Sequence, residues 1–102
     1  MVLSLFLTIG LSWAQDPELK VWHAYRGEER AALERLLSEY DAAHPDIRVV
    51  PLALPNDAFI NKLESAAPRG NGPDLFITAH DRVGDWSSIG MLAPTETPPS
   101  DL

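Results

Sequence analysis

Leu75-Phe76-Ile77 constrains the fold more than any other stretch of the chain. This unbroken apolar run sits between the Gly72-Pro73 break and the polar series Thr78-Ala79-His80-Asp81-Arg82. A run so short and continuous reads as a strand covered on both faces, as strands are in parallel sheets flanked by helices. In open parallel sheets ligands bind beyond the carboxyl ends of the strands. Thr78 to Arg82 is therefore the first place to look for a site.

The segments before it alternate in kind. Leu19 to Ala24 reads as a first strand, with Leu19, Val21 and His23 on one face and Lys20, Trp22 and Ala24 on the other. After the turn Tyr25-Arg26-Gly27, a helix is expected to about His44. Leu33, Leu36, Leu37 and Tyr40 recur at helical spacing, and Glu28 and Glu29 suit the positive end of the macrodipole. Pro45 ends that helix. Ile47 to Leu52 reads as a second strand, and Pro51 places it at a sheet edge. Asn56 is expected to cap a second helix, Asp57 to Ala67, that buries Phe59, Leu63 and Ala66 and stops at Pro68. After the third strand, Asp81 can cap a short helix carrying Val83, Trp86 and Ile89, with Gly90 beyond its end. Trp22 and Trp86 read as core.

This order predicts an α/β fold, a βαβαβα unit with a parallel sheet in the order 2-1-3. Strand three is expected to lie more centrally than strand two.

Fifteen acidic and eight basic residues leave a net charge of −7, which argues against binding nucleic acid or anionic lipid through non-specific attraction. No cysteine occurs among the 102 residues. Disulfides, thiolate metal sites and cysteine nucleophiles are excluded, and no lipid anchor on a cysteine is expected. Met1 to Ala14 carries no charged side chain, and Ser12-Trp13-Ala14 offers small residues at the positions a signal peptidase reads. Residues 1–14 are expected to be a secretory signal; a buried core segment is the alternative. The apolar run is shorter than the ~20 residues of a membrane-spanning helix.

Catalytic and cofactor motifs are missing. No Gly-x-Gly-x-x-Gly or P-loop lysine follows a strand, and Gly70-Asn71-Gly72 precedes a strand instead of opening a helix. His23, His44 and His80 are too scattered for a metal motif. Ser87-Ser88 has no Gly-x-Ser-x-Gly frame. No cofactor and no enzymatic activity are expected.

What remains is hydrogen-bonding capacity at the strand ends. Parallel topology brings Tyr25 and Arg26, after strand one, to the same rim as Thr78, His80, Asp81 and Arg82, after strand three. A carboxylate beside a guanidinium can accept from and donate to sugar hydroxyls, and an aromatic ring can cover the CH face of a pyranose. Alternatively, Asp81 only caps the third helix and Arg82 pairs with it at the surface. Spacing alone leaves both readings open.

Val21-Trp22-His23, the helix ending in His44-Pro45-Asp46-Ile47-Arg48-Val49, Gly72-Pro73-Asp74-Leu75-Phe76 and Ala79-His80-Asp81-Arg82 together carry a resemblance. Over about Leu19 to Pro94 the chain resembles the amino-terminal lobe of family 1 extracellular solute-binding proteins. The Ala-His-Asp-Arg sequence points to their maltodextrin-binding branch. The resemblance implies part of the amino-terminal lobe of a periplasmic binding protein type II fold, over residues 15–94, with 95–102 a truncated loop tail. It also implies a monomeric, periplasmic receptor, which closes on an oligosaccharide and delivers it to the permease subunits of an ABC importer in the inner membrane. The sugar-binding role passes to Asp81 and Arg82. By position, Tyr25, Arg26 and Glu28 become candidates, although the Asp-Lys pair of that loop in the branch is not reproduced. At Thr78 the branch carries a tryptophan. Members are several times longer, so a fragment with half a site is expected. The alternative is a small stand-alone α/β interaction module or minor enzyme.

Overall fold

The computed structural model describes residues 17–96 and Ser100. The expected signal sequence, and the part of the tail outside those positions, lie beyond the described residues. Eight elements follow in order. They are β1 (Glu18–His23), α1 (Gly27–Ala43), β2 (Arg48–Ala53), α2 (Asn56–Ala66), a 3-10 turn (Ala67–Arg69), β3 (Leu75–Phe76), a second 3-10 turn (His80–Arg82) and α3 (Val83–Ser88).

The sheet is parallel, in the expected order β2-β1-β3. β1 is the central strand. The third strand, expected to be more central than the second, instead forms the other edge among the described residues. Val21 pairs with Pro51 and Leu75, and Trp22 pairs with Leu52 and Phe76. Each pair shares a face, so this register divides the sheet into a tryptophan face and a valine face.

On the tryptophan face, Trp22, Phe59, Leu63 and Trp86 form the core, with Phe76, Ala24, Ile60 and Met91 packed around them. Phe59 and Leu63 lie on one side of α2 because they are four residues apart. Burying each such side chain contributes about 1.5–3 kcal/mol. Phe76 meets Trp86 edge-on, ring centroids 5.5 Å apart at 80°.

The valine face is covered less completely. α1 lies over β2, yet none of its residues is fully buried. Leu33 and Leu37 are half-buried, while Leu36 and Tyr40, expected on the same apolar face, are exposed. Tyr40 stacks on His44 instead, at 3.9 Å between ring centroids. The expected two-sided cover of Leu75-Phe76-Ile77 is not observed. Phe76 packs toward α3, but Leu75 is 55% exposed, because α1 shields β2 and leaves that face of β3 open.

Polar side chains fix the sheet's ends. Asp41 on α1 accepts from the Val49 N–H at 2.8 Å, satisfying a donor on edge strand β2. Asp74 holds Lys20 twice: its carboxylate accepts from the Lys20 N–H at 2.8 Å, and its own N–H donates to the Lys20 carbonyl at 2.9 Å. Gly72 lets the chain reach that point, since a Cβ there would sit 2.9 Å from the Ala67 Cα.

Helix ends differ from expectation in two places. α2 begins one residue early, so Asn56 is its first residue and Pro55 stands at the cap, with no side-chain cap bond. Asp81 does not cap α3 either. It lies inside the His80–Arg82 turn, and Arg82 stands at the cap position. Only Trp86 of the expected apolar trio on α3 is buried; Val83 and Ile89 are exposed. Gly90 ends α3 as expected, at φ 77°. The Met91 N–H donates to the Trp86 carbonyl and the Gly90 N–H to that of Ser87, a Schellman closure.

Candidate functional site

Three parallel strands send their carboxyl ends to one rim, and a cleft of about 680 Å³ opens there. Its wall is built from each strand's exit. Ala24, Tyr25 and Arg26 follow β1; Asn56 follows β2 and opens α2; Ile77, Thr78 and Ala79 follow β3; Glu29 projects from the first turn of α1. Tyr25 is 39% exposed, so its ring is available to a ligand.

A second depression of about 700 Å³ runs along the open side of β3. Phe76, Trp86, Met91 and Leu92 line it together with Asp74, Thr78 and His80, so Thr78 borders both hollows. Its position follows from the uncovered edge strand. We favour the first cleft as the site because residues from the exits of all three strands converge there, as they do where open parallel sheets bind ligands.

The structure thus brings together Tyr25, Arg26 and Thr78 of the residues expected from sequence. Glu28 is exposed in the first turn of α1 but does not line the cleft; its neighbour Glu29 does. Asp81 and Arg82 are exposed and also lie outside the lining, although Ala79, just before their turn, belongs to it. Sequence reasoning missed Asn56 and Glu29. Asn56 carried a usable signal, because it follows the carboxyl end of a parallel strand. Choosing between Glu28 and Glu29 requires the helical phase, which turns ~100° per residue.

Arg82 is engaged elsewhere than expected. It donates to Glu64 Oε1 at 3.4 Å instead of pairing with Asp81. The same oxygen accepts from Trp86 Nε1–H at 3.0 Å. Glu64 therefore ties α2 to both the 3-10 turn and α3, and gives the buried indole the partner it requires.

His23, the last residue of β1, is fully buried. Its Nδ1 accepts from the Tyr25 N–H at 3.2 Å. Its Nε2 lies 3.6 Å from Glu34 Oε1, beyond hydrogen-bond reach, and is left without a partner. An unsatisfied buried polar atom costs about 1–3 kcal/mol, so its presence beside the site is notable. The same Glu34 oxygen accepts from Arg30 Nε at 2.9 Å.

Among the described residues no cluster of three or more His, Asp or Glu could hold a metal ion. No described helix is long and apolar enough to cross a membrane.

Comparison with known proteins places this geometry in context. The family model for the bacterial extracellular solute-binding protein matches residues 24–97. The chain is similar to a maltotriose-binding protein of Pyrococcus abyssi, with 38% identity over 76 residues, 74% of this chain and 16% of that protein. An uncharacterised lipoprotein of Streptomyces antibioticus is 30% identical over 70 residues, 69% of this chain and 16% of that protein. Two solved structures share the fold. The cyclic alpha-maltosyl-1,6-maltose binding protein of Arthrobacter globiformis superposes with a TM-score of 0.69 at 30% identity, over 78% of this chain and 20% of that one. The maltose/maltodextrin-binding domain of Bdellovibrio bacteriovorus, bound to maltotriose, gives 0.66 at 26% identity, over 72% and 19%. The chain spans a fifth or less of the length of these proteins.

Proposed function

This chain belongs to the bacterial extracellular solute-binding protein family, and from that premise we propose that it contributes the amino-terminal part of a sugar receptor. The receptor takes a maltodextrin-like oligosaccharide outside the cytoplasmic membrane and presents it to the permease subunits of an ABC importer. It works as a monomer in the periplasm, without catalysis. The 102 residues supply one wall of the site, and the facing wall lies in sequence beyond them.

The observation that carries this reading is the cleft at the carboxyl ends of the strands, lined by Tyr25, Arg26, Glu29, Asn56 and Thr78. An aromatic ring suits the apolar face of a pyranose, while a guanidinium, an amide and a hydroxyl suit its hydroxyl groups. Relatives that bind maltotriose and a cyclic maltosyl-maltose share both sequence and fold with this chain.

Asp81 and Arg82 take sugar hydroxyls from the lip of the cleft, just past Ala79. Arg82 is free to do so at small cost. Its pair with Glu64 is exposed on both sides, and such pairs contribute only ~0.2–1 kcal/mol. Thr78, a small hydroxyl residue, leaves room at the rim. Glu28 is the weakest member of the set because its neighbour faces the cleft.

The test is calorimetric titration of the protein, in its longest open reading frame, with maltotriose, sucrose and trehalose. Heat of binding with an α-linked oligosaccharide is expected, and none with any of the three overturns the reading. Asp81→Ala and Arg82→Ala should each weaken binding by about 1–3 kcal/mol while leaving the thermal midpoint nearly unchanged. Unchanged affinity in both removes them from the site.

A further inference from the structure

We propose that His23 is the positioning residue of the cleft: a neutral imidazole, protonated on Nε2, whose Nδ1 anchors the loop carrying Tyr25 and Arg26. The inference rests on the sugar-binding reading only for the ligand; the anchoring itself stands on the geometry.

His23 is fully buried, so its ring cannot turn to water to satisfy its nitrogens. The Tyr25 N–H donates to Nδ1 at 3.2 Å, which requires a lone pair there. In the neutral ring the proton must then sit on Nε2. Nε2 faces Glu34 Oε1, an acceptor, at 3.6 Å. The Tyr25 N–H therefore selects the tautomer, and a proton on Nε2 meets no competing donor from Glu34. The titratable and charged groups around the ring are Glu34 on α1, itself held by Arg30, and Tyr25 in the loop. On the β2 side its register partner is the uncharged Ala53.

The nearby backbone bond, Leu54 N–H to the His23 carbonyl, holds β1 to β2 and not the Tyr25 loop.

Nitrogen-15 NMR of the histidine rings in the whole protein tests the tautomer first. At neutral pH a protonated Nε2 and a bare Nδ1 are expected for His23. A protonated Nδ1, or a doubly protonated ring, overturns the proposal without any variant. Amide exchange at Tyr25 tests the anchor. His23→Leu should speed it roughly five- to tenfold, the effect of one hydrogen bond of ordinary strength. His23→Asn, whose carbonyl can stand where Nδ1 stood, should restore the protection. Equal exchange in all three proteins overturns the anchor. Maltotriose titration then reads the consequence: His23→Leu should bind more weakly than His23→Asn. If wild-type protein binds no sugar, the function reading fails while the tautomer and exchange data still decide the anchor.

Discussion

The two faces of the sheet are built to different standards. On the tryptophan face, α2 and α3 close over Trp22, and all four core residues are less than 7% exposed. On the valine face, α1 contributes no fully buried residue, and Leu36, Tyr40, Leu75 and Ile77 remain in contact with solvent. Both faces carry apolar residues at regular spacing. The difference lies in what covers them, and coverage, not spacing, decides how much each residue stabilises.

The strongest way to test that contrast is to hollow out the closed face. Phe59→Ala should cost about 3–5 kcal/mol, as large-to-small changes in packed cores do. With so few buried side chains among the described residues, that loss should abolish the cooperative transition in a urea melt. A loss below ~1 kcal/mol would mean that the closed face is no better packed than the open one.

A smaller effect is expected where a polar bond, and not bulk, holds the closed face together. Glu64→Ala leaves the Trp86 Nε1–H, in a residue 2% exposed, without its acceptor. About 1–2 kcal/mol should be lost, read as a lower urea midpoint. Trp86 fluorescence should shift as well. A midpoint equal to wild type would show that water replaces the carboxylate.

The least effect is expected on the open face. Leu36 is 57% exposed, so Leu36→Ser should change stability by no more than ~0.5 kcal/mol in the same melt. A larger loss would show that α1 is covered by something outside the described residues.

The same contrast explains what could be read from the sequence. β1, α1, β2 and α2 were legible because alternation and helical spacing report which residues share a face. The order of the strands followed from handed crossovers and from Pro51. Coverage was not legible. Leu36 and Leu37 are equivalent in a periodic pattern, yet one is exposed and the other half-buried, because Leu37 lies on the flank beside Val49 and Pro51 of β2. The cap residues were misassigned for a local reason. Asn56 and Asp81 are good N-cap types, but Pro55 already supplies extended geometry before α2, and a 3-10 turn takes up Asp81 before α3 begins. At the site, Tyr25, Arg26 and Thr78 were accessible to reasoning because parallel strands end on one rim. Arg82's attachment to Glu64 was not, since it joins residues 18 positions apart on different elements.

The Asp74 clamp on Lys20 bears on the order in which this chain can assemble. The two residues are 54 positions apart, and the clamp sits where the first strand meets the third. β1 and β2 lie close in sequence and can pair early, but the opposite side of β1 stays bare until Asp74 docks. Loop-closure entropy rises only slowly with length, so the separation itself adds little cost. During that interval a central strand presents an unpaired backbone, open to the wrong partner. A carboxylate that grips the Lys20 N–H, together with an amide that grips its carbonyl, seals that opening at the point where β3 begins. The same grip fixes where β3 begins, and with it the position from which the chain runs on to the rim at Thr78.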